Sequence, residues 1–284
     1  MNKFDNSVAV VTGAGSGIGR SLAEQLADAG ATLAISDING KALAETASII
    51  EKKGVKIHSQ TLDVSDRDAV FNYAQTIKAE LGGANLVINN AGVALGGSTF
   101  KNTSIDEFEW LMSINFSGVL YGTKAFLPQL EDADWGHIVN ISSLFGLISS
   151  IEQSAYNSSK FAVRGLTEAL RQELDKSGNN VSCTSIHPGG IKTNIARNAR
   201  LGSGLDQEQA SFTKKQMEMF DVLAQTTAAS AAQQILNGVI KNKRRVVIGA
   251  DAKFLDVVQR LMPNAYPKVY NKMMKWITKG NWRG

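Results

Sequence analysis

Short apolar runs alternate along this chain with longer stretches in which apolar positions recur every three or four residues. Residues 8–12, 31–36, 55–62, 86–88, 137–141, 181–186 and 245–248 are too short for stable helices, and most are rich in Val and Ile. They predict seven strands. Helical periodicity fills the gaps: 18–29, a segment capped by Asn39 and running to about 53, and one opened by Ser65, Asp66, Arg67 and Asp68 that stops before Gly82-Gly83. Ser104 and Glu107 form a capping-box pattern for a long helix reaching about 129. Further helices are predicted over 153–176, near 206–220 and over 227–240, with a loop-rich region from 188 to 205. Strands apolar on both faces, separated by helical crossovers, require a parallel sheet covered on both sides. The expected fold is therefore α/β, a doubly wound parallel sheet of seven strands.

The last segment differs in character. Residues 1–250 read as one domain, and 251–284 as an amphipathic extension. Phe254, Val257, Val258, Leu261 and Met262 form one helical stripe that Pro263 stops. Tyr266, Val269, Tyr270, Met273, Met274 and Ile277 form a second, with Lys268, Lys272, Lys275 and Lys279 on the opposite side. Three readings compete: a cover for a subunit interface or for the protein's own core, a lid over an apolar substrate pocket, and a peripheral contact with an anionic membrane. The last is favoured by Trp276, Trp282 and the lysine face.

Composition narrows the class. The chain has 284 residues, 43% hydrophobic and 20% charged, as expected for a soluble globular protein. Its net charge of +4 is unevenly spread, with seven Lys/Arg and one acid between 253 and 284, so the rest is slightly acidic. A nucleic-acid-binding reading of the whole chain is not supported. The single Cys183 lies in an alternating apolar run and reads as a buried strand thiol. His58, His137 and His187 show no metal-ligand spacing, so no metal is expected. Without a cleavable signal or an apolar span, the expected location is the cytoplasm.

Chemistry enters at the glycine-rich turn Thr12-Gly-Ala-Gly-Ser-Gly-Ile-Gly19, which follows the first strand and opens the first helix. Small residues there let the backbone approach a pyrophosphate, whose charge a helix N-terminus favours. Asp37 ends the second strand, where a carboxylate can accept from adenosine ribose hydroxyls and repel a 2′-phosphate. Neither Ser16 nor Ile38 supplies a cation for such a phosphate, so NAD is expected over NADP. Asp63, after the third strand, can meet the adenine amine or simply lead into the next helix. Tyr156 and Lys160 stand four apart on one predicted helix, so the ammonium can approach the phenol and favour phenolate.

With these elements in order, the chain closely resembles the classical short-chain dehydrogenase/reductase family over roughly residues 5–250. The motifs are the T-G-x-x-x-G-I-G form of the turn, Asn89-Asn-Ala-Gly92, Asn115, Ile141-Ser-Ser143, Tyr156-x-x-x-Lys160 and Pro188-Gly189. The resemblance implies a Rossmann fold and a nicotinamide cofactor, and it assigns roles. Tyr156 would be the general acid/base, and Lys160 would lower its pKa and hold the nicotinamide ribose. Asn115 would hold a proton-relaying water. Ser142 and Ser143 compete to orient the substrate oxygen, and the family's thirteen-residue interval to the tyrosine selects Ser143. Gly13, Ser16, Gly17, Ile18, Gly19, Asp37, Asp63, Val64, Asn90, Ala91 and Gly92 would line the cofactor, with Tyr156 and Lys160. Pro188, Gly189, Ile191 and Thr193 would shape its nicotinamide end.

The expected reaction interconverts a small-molecule alcohol and its ketone or aldehyde, with a substrate that can be lipophilic, in a homodimer or homotetramer. The competing reading is a catalytically idle dinucleotide-binding scaffold acting as a sensor or interaction protein, against which the intact set Asn115, Ser143, Tyr156 and Lys160 argues. Lys192, Asn194, Arg197, Asn198 and Arg200, in the loop expected to enclose the substrate, are read as facing water.

Overall fold

The seven expected strands all form. They are β1 (Val8–Thr12), β2 (Thr32–Asp37), β3 (Ile57–Thr61), β4 (Leu86–Asn89), β5 (Gly136–Ile141), β6 (Val181–Pro188) and β7 (Arg245–Ile248). This computed structural model describes residues 3–278, so Lys279 of the lysine face and Trp282, cited above for a membrane contact, lie outside the described residues. The sheet order is β7-β6-β5-β4-β1-β2-β3, with every neighbouring pair parallel. The order reverses at β1, which pairs with β2 on one side and β4 on the other. Loops leaving the carboxyl ends of β1 and β4 therefore diverge and open a crevice.

Two apolar layers cover the sheet. On one face, helices α1 (Gly17–Asp28) and α2 (Gly40–Glu51) pack through Leu22, Leu26, Leu43 and Ile50 against Val11, Leu33 and Ile35. The other face carries α3 (Arg67–Leu81), and Tyr73 and Ile77 pack there with Phe126, Leu130 and Leu174. Because strands in such a sandwich are buried on both sides, β1, β4 and β5 have no exposed position. Cys183 is buried on the second face, and desolvation pushes its thiol pKa up to about 12, so it stays protonated.

The long helix expected after Ser104 is interrupted. Its capping box forms as expected, with Ser104 and Glu107 bonded to each other's backbone. However, α4 (Ile105–Met112) passes through a π-helical turn, Ser113–Ser117, before continuing as α5 (Gly118–Asp132). The side-chain amide of Asn115 explains the break: it donates to Val93 O at 2.9 Å and accepts from Val93 N at 2.8 Å. Gly118 then packs so closely on Val64 that an added Cβ would lie 2.8 Å from Val64 Cγ2. After these come α6 (Ser154–Ser177), α7 (Gln207–Leu223) and α8 (Ala228–Ile240). Two small parallel ladders tie the loops above the crevice, Leu95–Gly96 to Arg200–Leu201 and Ile191–Lys192 to Thr226–Thr227.

The C-terminal segment forms α9 (Ala250–Leu261) and α10 (Tyr266–Ile277). The α9 stripe largely faces out, with Phe254, Val257, Leu261 and Met262 exposed, so it does not cover this chain's own core. Ala252 and Leu255 are the buried residues. Charge fixes that rotation. Asp251 accepts from Gly190 N at 2.7 Å, and Asp256 faces Arg245 at 3.9 Å while pairing with Arg260 at 3.1 Å. Among the described residues no helix is long and apolar enough to cross a membrane.

Candidate active site

Loops from the carboxyl ends of β1 and β4 are stitched together by hydrogen bonds. Thr12 Oγ1 accepts from Asn90 N at 3.0 Å and Ala91 N at 3.1 Å, and Asn90 Nδ2 donates to Thr12 O at 2.9 Å and Gly13 O at 3.1 Å. Asn90 thus braces the glycine-rich turn through its side chain. Gly13 has φ +65° and Gly17 φ +54°, conformations that favour glycine. An added Cβ on Gly19 would overlap the Gly13 carbonyl and come within 2.6 Å of Asn90 Nδ2.

The substitution Gly19→Ala should therefore destabilise the protein by about 1–3 kcal/mol, measured by urea unfolding. The same change at Gly165, an exposed α6 position with open space around its Cβ, should instead stabilise by about 0.5–1 kcal/mol. Equal effects at the two positions would contradict the packing account.

The turn ends as an open helix N-terminus. Ser16 is the N-cap of α1 but makes no side-chain cap bond, and no acid stands in the first turn. The first N–H groups of a helix have no intrahelical acceptor, so Ser16, Gly17, Ile18 and Gly19 offer donors to an anion. Asp37 sits at the rim, where Oδ2 accepts from Gly15 N at 2.8 Å and Oδ1 from Asn39 N at 2.9 Å. Asp63 accepts from the backbone and hydroxyl of Ser65, at 2.9 and 2.7 Å, while Asp66 caps α3. Val64 packs on Gly118, and Thr193 lies over Gly17, where an added Cβ would be 3.1 Å from Thr193 Cγ2. Pro188 is buried, and Gly189 N bonds Ile248 O at 2.8 Å. Ile191 is buried beside α8.

Across the crevice, α6 presents Tyr156 and Lys160 one turn apart. Lys160 is 3% exposed and its Nζ donates to Ile141 O at 3.1 Å, lying 5.6 Å from the Tyr156 ring centroid. Burial brings its pKa down to about 8. An added Cβ on Gly92 would enter the space between Asn115 Oδ1, at 3.1 Å, and Lys160 Nζ, at 3.4 Å. The expected lowering of the Tyr156 pKa is not found. Burial raises it, and the neighbouring Ser143 hydroxyl offsets this only in part. The reason is geometric, because the ammonium bonds a backbone carbonyl rather than the phenol oxygen.

The two candidate serines part company. Ser142 Oγ donates to Lys160 O at 2.8 Å and is buried in the scaffold, whereas Ser143 Oγ stands with Tyr156 and accepts from Phe145 N at 3.1 Å. Tyr156 borders a narrow cleft whose other lining residues are Leu95, Ser98, Thr103, Glu152, Gln153, Ser154 and Ala155. Lys192, Asn194, Arg197, Asn198 and Arg200 are exposed, and the Arg200 guanidinium lies 5.2 Å from the Trp110 ring.

Sequence reasoning missed three residues here. Phe145 meets the Tyr156 ring edge-to-face at 6.3 Å. His187 is buried, donates from Nδ1 to Ser143 O at 3.0 Å and accepts from Ser185 at Nε2; desolvation lowers its pKa to about 4, so it is neutral. Asp251 holds Gly190. Only His187, directly before Pro188, carried a readable signal, a histidine at the carboxyl end of an inner strand.

Residues 7–203 match the short chain dehydrogenase family. The chain belongs to that family. Among relatives, this short-chain dehydrogenase is 46% identical to "Putative oxidoreductase SadH" of Mycobacterium tuberculosis over 95% of both chains. It is 29% identical to human "Estradiol 17-beta-dehydrogenase 11", covering 93% of this chain and 82% of the relative. A short-chain dehydrogenase/reductase from Burkholderia phymatum, solved in complex with NAD, superposes with TM-score 0.85 at 30% identity, covering 92% of this chain and 95% of the other.

Proposed function

We propose that this protein is an NAD-dependent oxidoreductase that interconverts a lipophilic alcohol and its carbonyl compound. The observation that carries the reading is the placement of Lys160 Nζ 5.6 Å from the Tyr156 ring, with the Ser143 hydroxyl beside the same phenol. Residues of the turn fit a dinucleotide: open helix donors for pyrophosphate, Gly13 and Gly17 for close approach, and the Asp37 carboxylate for an unphosphorylated ribose. Asp63 and Val64 would lie toward the adenine, Asn90, Ala91 and Gly92 along the ribose, and Pro188, Gly189, Ile191 and Thr193 at the nicotinamide end. When bound there, the nicotinamide supplies the hydride acceptor for oxidation and the donor for reduction.

The chain's own residues manage the proton. Ser143 Oγ and Tyr156 Oη hydrogen-bond the substrate oxygen and stabilise charge as it develops. Tyr156 takes the hydroxyl proton during oxidation and returns it during reduction. Lys160, with its pKa near 8, exchanges protons close to neutral pH and can recharge the phenol. Asn115, next to Gly92 and Lys160, would hold a relaying water. The lipophilic class is supported by the steroid in the human relative's name.

We further read residues 1–250 as the catalytic domain and 251–284 as an extension of it, in a cytoplasmic homodimer or homotetramer. The test is a panel of alcohols, from short diols to long-chain alcohols and hydroxysteroids, assayed for NADH production. The expected outcome is turnover that favours apolar members. No turnover on any member, with NADH still bound, would support the idle scaffold instead.

A further inference from the structure

The C-terminal helices hold both loops that border the proposed catalytic centre. On one side, Asp251 at the start of α9 accepts from Gly190 N at 2.7 Å, and an added Cβ on Gly189 would run into its carboxylate. The Pro188–Gly190 loop is thus anchored from outside the region that carries the family motifs. On the other side, Tyr270 of α10 is 5% exposed and meets Phe145 edge-to-face at 6.4 Å and 88°. Phe145 in turn meets Tyr156 at 6.3 Å and 89°. Three rings therefore run in contact from the C-terminal helix to the proton-handling phenol.

Hydrogen bonds follow the same route. Ser149 N donates to Tyr266 Oη at 3.0 Å, and Ser150 Oγ bonds Tyr270 Oη at 3.4 Å. Asn157, next to Tyr156, donates to Ser150 O at 2.8 Å. Beneath them Leu144 and Ile148 share one apolar cluster with Ala252, Leu255 and Tyr270. The 143–150 segment is consequently gripped between α6 and α10. Its first residue, Ser143, has its hydroxyl beside the Tyr156 phenol.

We propose that α9 and α10 are a clamp that sets the geometry of the catalytic pair, with Tyr270 and Asp251 as positioning residues for the Ser143–Tyr156 pair and for the Pro188–Gly190 loop. Neither residue need touch substrate. Edge-to-face packing is directional, so it restricts the ring orientation of Tyr156 and not only its burial. The catalytic consequence rests on the reading of Ser143 and Tyr156 given above, whereas the mechanical claim does not.

Hydrogen–deuterium exchange on the full chain without ligand tests the mechanical claim. In Tyr270→Ala, amides of 144–150 should exchange roughly tenfold faster or more, as expected when local opening costs less, while β1 and α1 stay unchanged. In Asp251→Ala the same should hold for the Gly190 amide. Unaltered exchange at these amides would overturn the clamp. Should Tyr270→Ala not fold, Tyr266→Phe is read at the Ser149 amide with the same two outcomes.

Kinetics on the alcohol that the panel shows to be turned over fastest with NAD test the positioning role. Tyr270→Ala should lower kcat roughly 10- to 100-fold, the cost of a misplaced reacting group, with KM for NAD little changed. Tyr270→Phe, which keeps the ring, should restore most of kcat. Equal kcat in wild type and Tyr270→Ala would overturn the positioning role. If the panel yields no substrate, exchange alone decides the clamp, so its failure and that of the enzymatic reading remain distinct.

Discussion

Tyr156→Phe is expected to lower turnover of any alcohol substrate by roughly 10²- to 10⁴-fold, the usual contribution of a positioned acid/base group, while NADH binding persists. The substitution removes one oxygen and little else. The ring keeps its edge-to-face contact with Phe145, and Lys160 keeps its bond to Ile141 O. Ser143 Oγ keeps the hydrogen bond it accepts from Phe145 N. A large loss with intact folding and cofactor affinity would therefore report the proton and not the scaffold. The pH profile supplies a second reading of the same group. Burial raises the Tyr156 pKa in the free protein, and oxidation needs phenolate, so its rate should climb as pH rises toward that pKa. Reduction needs the phenol and should fall over the same range. A Tyr156→Phe variant that turns over at rates near those of the wild type, or an oxidation rate that falls with rising pH, would remove Tyr156 from its assigned role.

The fold was legible because each strand announces itself as a short apolar run between periodic segments, and a sheet buried on both faces leaves few other arrangements. The turn, the Asn90 loop and the Tyr156/Lys160 pair were legible for a different reason: their residue types are dictated by local geometry. Gly13 needs its φ, Gly19 has no room for a Cβ, and residues four apart share a helix face. What could not be read depends on partners distant in sequence. The π turn at Asn115 follows from bonds to Val93, twenty-two residues away. In α9 the single apolar stripe did not say whether it would face this chain's core or outward. Its rotation was settled by Asp251 with Gly190 and by Asp256 with Arg245, and Leu261 was left 77% exposed. The same is true of the lysine. Spacing puts Lys160 near Tyr156, but the carbonyl that accepts the hydrogen bond from its ammonium comes from β5.

A second large effect is expected at Asp37. Both of its oxygens are already engaged, Oδ2 by Gly15 N and Oδ1 by Asn39 N, and Asn39 in turn caps α2 by accepting from Ala42 N. Each carboxylate oxygen retains a free lone pair for a ribose hydroxyl, and its charge opposes a 2′-phosphate at the same place. Nearby cationic help for that phosphate is committed elsewhere. The Arg20 guanidinium bonds Gly15 O at 2.6 Å, Thr46 Oγ1 at 2.9 Å and Glu45 at 3.1 Å, which makes it a brace for the turn. Ile38, the next residue, is exposed and uncharged. Hydrogen bonds to a charged group are worth about 1.5–3 kcal/mol, so Asp37→Ala should weaken NADH binding roughly 10- to 100-fold. NADPH binding should strengthen at the same time as the repulsion is lifted, shifting the NADH/NADPH preference by more than either change alone. Fluorescence titration of both reduced cofactors checks this without any substrate. Wild-type protein that binds NADPH as tightly as NADH, or a preference unmoved by Asp37→Ala, would show that this carboxylate serves the turn and not the choice of cofactor.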